Sequence, residues 1–161
     1  MAQAADGTTS ERGGETGAAE GQAAPGALSV AAVLDGHPQP GSVATAMLAA
    51  CVDACLACSA ACTACADACL AEAHVADLTR CIRLNLDCAD VCAATGRLAA
   101  RLTATEWTLL RRQLEACQVA CELCADECEA HAQLHAHCAA CAAACTACED
   151  ACRQLLVSAG M

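Results

Sequence analysis

The sequence predicts an all-α protein, an antiparallel up-down-up-down four-helix bundle with cysteines lining the core. Three observations lead to this prediction. From Ser42 onward the chain contains no proline and only two glycines, so good helix formers run almost without interruption. Cysteine recurs at intervals of three and four residues in separate segments, which is the spacing of one helix face. Phenylalanine and tyrosine are absent and one tryptophan is present, which disfavours a β-sandwich or barrel.

The chain divides into three parts. Residues 1–26 are rich in Ala, Gly, Glu and Thr and are predicted to form a disordered acidic tail. Residues 27–41 are predicted to hold a short helix, ending near Asp35, followed by a loop whose glycines and prolines stop the helix. Residues 42–161 are predicted to form the bundle, which is long enough for one hydrophobic core.

The first two bundle helices are predicted from their end signals. Helix 1 covers about residues 43–72, and Ser42 is its candidate N-cap. A turn follows, and Asp77 is placed to cap helix 2, which continues to about Arg101.

The third and fourth helices complete the bundle. Thr103 and Glu106 fit a capping box, in which two side chains reciprocally satisfy free backbone amides, and this box opens helix 3. Helix 3 continues to about residue 131, a turn follows around residues 132–134, and helix 4 continues to about Val157. Helices of similar length with short connections favour antiparallel neighbours.

All eighteen cysteines fall on the inward-facing positions of these helices. In helix 1 the intervals between them are 4, 3, 4, 3 and 4 residues, so six sulfur atoms span about 27 Å of one face. Asn85 occupies the helix 2 position where the spacing would place another cysteine. The predicted metal ligands are Cys51, Cys55, Cys58, Cys62, Cys65, Cys69, Cys81, Cys88, Cys92, Cys117, Cys121, Cys124, Cys128, Cys138, Cys141, Cys145, Cys148 and Cys152.

This array predicts metal binding rather than packing or disulfides. Packing alone would be served by Leu, Ile and Val, although cysteine packs as a small hydrophobic residue. Cysteines three or four apart on one helix have nearly parallel Cβ directions, which is poor disulfide geometry. No secretory or twin-arginine signal is recognised, so the sequence predicts a cytoplasmic protein, whose thiols stay reduced.

The chemistry of the donors favours Cu(I). Thiolates select Cu(I), Zn²⁺ and iron–sulfur clusters. Several tetrathiolate zinc sites would bury uncompensated negative charge, and the chain has no lysine. One Cu⁺ instead replaces one thiol proton, which predicts storage without catalysis, with on the order of one Cu(I) per cysteine, or roughly 10–20 per chain.

Two alternatives stay open at this point. One is a zinc- or cadmium-binding buffer similar to a metallothionein. The other is an iron–sulfur redox protein, although no cysteine is followed by proline as in the ferredoxin-type motif.

The two ends of the bundle differ in composition. His131, His135 and His137 are predicted to lie at one end, the mouth, where imidazole would be an additional copper ligand. His74 falls in the neighbouring turn. The opposite end is predicted to be an apolar plug formed by Met47, Leu48, Leu98, Leu102, Trp107, Leu109, Leu110, Leu114, Leu155 and Leu156.

Charge and hydropathy exclude two classes of partner. Eight basic residues against nineteen acidic ones give a formal net charge of −11, which disfavours nucleic acid. No uninterrupted apolar run approaches the roughly 18 residues that a membrane span needs. We therefore expect neither a nucleic-acid nor a membrane partner.

Three segments carry a resemblance to a known family. They are 51–69, with its repeated cysteines, 80–92, which reads Arg-Cys-Ile-Arg-Leu-Asn-Leu-Asp-Cys-Ala-Asp-Val-Cys, and 124–131, which reads Cys-Ala-Asp-Glu-Cys-Glu-Ala-His. With these motifs the chain resembles the bacterial copper storage proteins, most closely the cytosolic branch, from about residue 27 to residue 156. The resemblance implies a cysteine-lined bundle that holds many Cu(I) ions, a homotetramer, and a histidine that assists copper at the mouth, for which His131 is the best match.

Overall fold

The structure is a computed structural model that describes residues 30–39 and 41–160. Five α-helices follow one another, and they are α1 (Val30–Asp35), α2 (Thr45–Leu70), α3 (Thr79–Ala99), α4 (Trp107–His131) and α5 (Ala136–Ser158). A short 3₁₀ helix, Val75–Leu78, precedes α3. These two ranges contain no β-strand, and the all-α prediction is confirmed. The predicted tail, residues 1–26, lies outside the described residues.

The four long helices pack in a closed ring. Helix α2 packs against α3 and α5, and α4 packs against the same two helices. Neighbouring helices run antiparallel. Near the start of α2, the Sγ atom of Cys51 lies 3.9 Å from that of Cys152, near the end of α5. At the other end of α2, Cys69 lies 3.9 Å from Cys81 of α3, which in turn lies 3.8 Å from Cys128 of α4. The predicted up-down-up-down order describes this arrangement.

Helix starts are the part of the fold that differs from the sequence prediction. The N-cap of α2 is Ala44 rather than Ser42, and no side chain caps it. Asp77 lies inside the 3₁₀ helix instead of capping α3. Alanine-rich helices therefore begin here without the side-chain caps that usually satisfy the first free amides.

The predicted capping box of Thr103 and Glu106 is wrong. Glu106 is itself the N-cap of α4, and no side chain caps this helix. Ala104 has a φ of 51°, a left-handed conformation that turns the chain just before α4. Thr105 Oγ1 donates back to the carbonyl oxygen of Arg101 at 3.0 Å, at the end of α3. The loop therefore closes the preceding helix rather than opening the next one.

Helix α2 is long and apolar enough, by length and composition, to cross a membrane. The expectation that nothing approaches such a length holds for uninterrupted apolar runs. It fails for hydropathy averaged over the helix, because Asp53 and Asp67 are the only charged residues of α2. A core helix passes the same test, and the cysteine face of α2 is buried against its neighbours. The observation is weak support for a membrane span.

The plug end closes one end of the bundle with leucine. Leu48, Leu110, Leu114 and Leu155 are at most 3% exposed and continue the cysteine-bearing faces of their helices. Leu34 of α1 packs into the same cluster, so the short first helix covers this end. Trp107 is half-buried here. Leu109 was expected in the plug but is 56% exposed, because it lies on the outer side of α4.

A glycine lets α3 approach α2 closely beside the plug. A Cβ atom placed on Gly96 would lie 3.3 Å from the Cβ of Cys55 and 3.6 Å from the carbonyl oxygen of Val52. Any larger residue would therefore push the two helices apart at the level of Cys55.

We expect Leu114→Ala to lower the free energy of unfolding of the reduced protein by about 2–5 kcal/mol, because it removes a fully buried side chain and leaves a cavity. Leu109→Ala, on the exposed side of the same helix, is the control and should change it by less than about 0.5 kcal/mol. Denaturant unfolding under reducing conditions measures both. Equal effects would contradict the assignment of Leu114 to the plug.

Candidate metal-binding site

The interior of the bundle is lined by sulfur. All eighteen cysteines lie within the described residues, all are buried, and none is more than 2% exposed. None of them forms a disulfide. The 3-4 spacing produces this arrangement, since it places successive cysteines on the one face that each helix turns inward.

The sulfur atoms are in close contact with one another through the middle of the bundle. Within the middle of it, Cys62 Sγ lies 3.5 Å from Cys145 Sγ and 3.9 Å from Cys124 Sγ. The second contact joins helices that lie diagonally opposite, and so does the 3.8 Å contact between Cys92 and Cys148. These distances are van der Waals contacts between thiols, well beyond the ~2.05 Å of a disulfide bond.

Several sets of four ligand atoms lie within 4.8 Å of one another. At least four of these sets contain sulfur alone, and the members of each of these four come from at least three helices. The sets are Cys55, Cys117, Cys148 and Cys152; Cys58, Cys92, Cys121 and Cys148; Cys58, Cys62, Cys88 and Cys145; and Cys62, Cys124, Cys141 and Cys145.

Successive sets share ligands. Cys148 belongs to the first and second sets, Cys58 to the second and third, and both Cys62 and Cys145 to the third and fourth. A thiolate can bridge two soft metal ions, so shared sulfur atoms permit neighbouring ions to occupy adjacent sets. The site is therefore one extended array rather than several separate centres.

A single amide interrupts the array. Asn85 is fully buried, and its Nδ2 donates to the carbonyl oxygen of Cys81 at 2.8 Å and lies 3.4 Å from the sulfur atoms of Cys81 and Cys128. The thiol of Cys141 donates to Asn85 Oδ1 at 3.0 Å. All of these hydrogen bonds of Asn85 are therefore made to cysteine residues.

Two opposing effects act on the thiols. Burial raises the pKa of Cys138 to about 11, and the neighbouring sulfurs of Cys69 and Cys128 add to the shift. A hydrogen bond from Cys152, supported by one from Cys55, lowers the pKa of Cys51 to about 5. Burial therefore opposes the formation of a thiolate inside the array, and hydrogen bonds from neighbouring thiols favour it.

Arginine side chains of the described residues stay away from the array. Every arginine in the described part of the chain is exposed. The buried polar residues found there are Asn85 and Thr95, both neutral. Negative charge that accumulated on the sulfur atoms would therefore lack a protein partner.

The histidines lie at the mouth. Among the described residues, His137 is the histidine that contacts cysteine sulfur. His137 Nδ1 lies 3.4 Å from Cys65 Sγ and 3.5 Å from Cys138 Sγ, and with Cys65, Cys69 and Cys138 it forms a further four-ligand set. His131 instead bonds Glu127 at 3.3 Å. The structure thus brings His137 to the array and directs His131 to a carboxylate.

Glu72 organises the mouth. Its Oε1 lies 2.9 Å from His135 Nδ1 and 3.2 Å from His137 Nε2. The hydrogen bond from His137 is the main reason why the pKa of the Glu72 carboxyl is below its usual value, and His135 adds to it. A proton held on His137 Nε2 by this carboxylate leaves the Nδ1 lone pair facing the sulfur atoms, as in carboxylate–histidine–metal sites.

Sequence reasoning overlooked Glu72, although a signal for it exists. Glu72 follows Cys69 by three residues and so continues the spacing of the cysteines in α2 beyond the last sulfur. From the sequence, Asn85 is recognised only as the position of α3 where the spacing would place another cysteine.

The fold and the site together define a class: a helical bundle whose interior of free thiols suits soft metal ions. Comparison with known proteins agrees. The sequence profile of the copper storage protein family matches residues 44–157. No curated protein sequence matches the chain.

Solved structures give the same relationship. The copper storage protein Ccsp from Streptomyces lividans, loaded with 10 copper equivalents, is 48% identical with a TM-score of 0.79, and the match covers 80% of this chain and 98% of that one. A structure of the cytosolic copper storage protein from the same organism with five coppers is 52% identical with a TM-score of 0.69, and covers 70% and 93% of the two chains. The chain belongs to the copper storage protein family.

We expect Asn85→Ala to destabilise the reduced, metal-free protein by about 1–3 kcal/mol, because the Cys141 thiol and the Cys81 carbonyl lose a buried partner. Asp87→Ala, two residues along the same helix, removes only an exposed ion pair with Arg83 and serves as the control, with a change below about 1 kcal/mol. Denaturant unfolding at neutral pH compares them. An unchanged midpoint for Asn85→Ala would show that the amide is not held by these bonds.

We expect Glu72→Ala to redistribute the proton of His137 between its two ring nitrogens, since the acceptor facing Nε2 is lost. Nitrogen-15 NMR of the histidine rings measures the tautomer directly. Asp77→Ala removes another carboxylate that lines the same end and should leave the His137 signals in place. Identical spectra for wild type and Glu72→Ala would contradict the orienting role.

Proposed function

We propose that this protein stores Cu(I) in the cytoplasm, holding many ions on its core thiolates. The ligands are the eighteen buried cysteines, together with His137 and, at the mouth, His131 and His135. The observation that supports this most directly is the set of overlapping four-sulfur groups, since shared ligands allow neighbouring ions to fill one array. Capacity is then on the order of one Cu(I) per cysteine.

Charge balance supports Cu(I) over a divalent ion. Each Cu⁺ that binds displaces one thiol proton, so the buried charge hardly changes as the array fills. Each Zn²⁺ held by four thiolates would leave two negative charges in a core that no arginine of the described residues reaches. Monovalent filling can therefore continue along the whole array, whereas divalent filling becomes more costly with each ion.

The sharing of sulfur also supports storage as the role. A bound ion can move to the next set by gaining one sulfur before it loses another, because Cys58, Cys62 and Cys148 each belong to two sets. Movement of this kind needs no opening of the helices. Ions can thus be redistributed among the four overlapping sets.

A relative supports the proposed compartment, and the family resemblance implies the proposed assembly. A relative 52% identical to this chain is described as cytosolic, and reduced thiols are the expected state in that compartment. A homotetramer remains the assembly implied by the family resemblance. Residues 42–161 are proposed as the copper-binding unit, preceded by a short helix and loop in residues 27–41 and by an acidic tail in residues 1–26. Neither nucleic acid nor a membrane is part of the proposal.

Catalysis is not part of the proposed role. The family is named for storage, and the sulfur sets are buried. The geometry is that of a reservoir, in which ions are held and released without bond-making in a substrate.

The stoichiometry of Cu(I) binding tests the proposal. Fully reduced protein titrated anaerobically with Cu(I), against a strong competing chelator, should bind roughly 10–20 ions per chain. Saturation at one or two ions would refute storage. A parallel titration with Zn²⁺ is expected to saturate at far fewer ions, and equal occupancy by both metals would favour the divalent buffer instead.

A substitution within the array sharpens the test. Cys62→Ser replaces a sulfur that belongs to two sets with a hard oxygen donor and should lower the Cu(I) capacity by at least one ion per chain. Ser59→Ala, on the same helix and outside the array, is the control and should retain full capacity.

A further inference from the structure

A carboxylate contacts each of the three histidines proposed as ligands at the mouth. Glu72 contacts His135 and His137. Glu127 contacts the third, because its Oε1 lies 3.3 Å from Nε2 of His131, one turn further along α4. The storage role described so far makes no use of Glu127.

Both oxygens of Glu127 are engaged. While Oε1 faces His131, Oε2 accepts a hydrogen bond from Nε of Arg80 on α3 at 2.6 Å. The side chain of Glu127 is 17% exposed and that of His131 is 21% exposed, so this pairing is better shielded than the pair of Arg83 with Asp87, whose carboxylate is 49% exposed. We call the group of Arg80, Glu127 and His131 the carboxylate bridge. Two partners on two oxygens hold its carboxylate in one orientation.

The carboxylate bridge lies level with the outermost sulfur atoms. Arg80 directly precedes Cys81 and Glu127 directly precedes Cys128, and the sulfur atoms of these two cysteines are 3.8 Å apart. His131 follows Cys128 by three residues and so continues the inward face of α4 beyond its last sulfur. Its side chain lines the mouth cavity, which has a volume of about 360 Å³.

The backbone of His131 is held as well. Its carbonyl oxygen accepts hydrogen bonds from the N–H groups of Leu134 and His135, both at 3.0 Å, in the turn that joins α4 to α5. The main remaining freedom of His131 is rotation of its side chain. The carboxylate bridge restrains that rotation.

We propose that Glu127, held in place by Arg80, is a positioning residue for His131. This inference rests on the proposed role of His131 as a copper ligand at the mouth. A carboxylate only accepts hydrogen bonds, so the ring proton that it holds lies on Nε2 of His131, and the lone pair of Nδ1 is available to Cu(I). Carboxylates that accept a hydrogen bond from a metal-binding histidine orient its ring and strengthen its other nitrogen as a donor.

Arg80 also affects which donor atoms the mouth presents. Carboxylate oxygens suit hard divalent ions, whereas imidazole suits copper. Because Arg80 and His131 occupy the two oxygens of Glu127, this carboxylate does not compete with the imidazole for an incoming ion.

The ring proton of His131 tests the carboxylate bridge without any copper. In the reduced, metal-free protein, proton and nitrogen-15 NMR should show the ring proton on Nε2, protected from exchange with water. Glu127→Ala should lose this signal, and Glu127→Gln, which keeps an accepting oxygen, should retain it. Asp126→Ala removes the neighbouring exposed carboxylate and is the matched control, which should keep the wild-type spectrum. An unchanged His131 signal in Glu127→Ala would overturn the proposal.

The rate of copper loading tests the consequence for function. With Cu(I) supplied as its complex with a small thiol, Glu127→Ala should load about tenfold more slowly than wild type and reach the same final number of ions. Glu127→Gln should recover most of the rate, and Asp126→Ala should load normally. Equal slowing in Asp126→Ala would assign the effect to net charge and overturn the positioning role.

Double variants show whether Glu127 acts through His131. If it does, adding Glu127→Ala to His131→Ala should slow loading no further, because the group that Glu127 positions is already gone. Additive slowing would overturn the proposal.

The same logic tests Arg80. Arg80→Ala should slow loading in the wild-type background and have no effect in the Glu127→Ala background. Arg83→Ala, which breaks an exposed ion pair on the same helix, is the control and should leave the rate unchanged. Slowing by Arg80→Ala in both backgrounds would refute its action through Glu127.

The final number of bound ions separates this inference from the storage role. Full capacity with an unchanged loading rate in Glu127→Ala would refute the positioning role and leave storage intact. A capacity of one or two ions in the wild type would refute storage, while the ring proton of His131 would still report on the carboxylate bridge.

Discussion

The structure depends on keeping charge out of an interior made of sulfur. Eighteen thiols share the core, no arginine in the described part of the chain reaches them, and the polar groups buried with them are neutral. Such a core is stable when every sulfur carries a proton or an equivalent monovalent ion, because isolated buried charge is very costly. The preference for Cu⁺, the neutral Asn85 and the outward arginines all follow from this requirement.

Filling the core with cysteine also explains the composition of the rest of the chain. Because cysteine is small, helices that pack through cysteine lie close together. Positions beside the core, where two such helices meet, therefore have room only for small residues. Gly96, whose Cβ position would lie 3.3 Å from Cys55 Cβ, is the extreme case. The alanines that lie beside Cys65 and Cys141 between α2 and α5, namely Ala61, Ala64 and Ala140, are another.

The helical class and the inward direction of all eighteen cysteines could be predicted, because both depend on a short-range spacing that each helix carries by itself. The plug could be predicted for the same reason, apart from Leu109. The capping box at Thr103 and Glu106 failed because Ala104 adopts a left-handed conformation that no local pattern announced. The roles of Glu72 and His137 depend on which side chains meet where α2 ends and α5 begins, and that is a tertiary property.

The single aromatic side chain has an optical consequence. Trp107 is the chromophore of a chain without tyrosine or phenylalanine, and it sits beside the leucines that close the plug. About 20 residues of α4 separate it from Cys128 near the mouth, a distance of roughly 30 Å along the helix. Its fluorescence should therefore change when metal ions bind to the sulfur sets near the plug and stay unchanged when they bind near the mouth. The intrinsic emission of the protein would then show which part of the array is occupied.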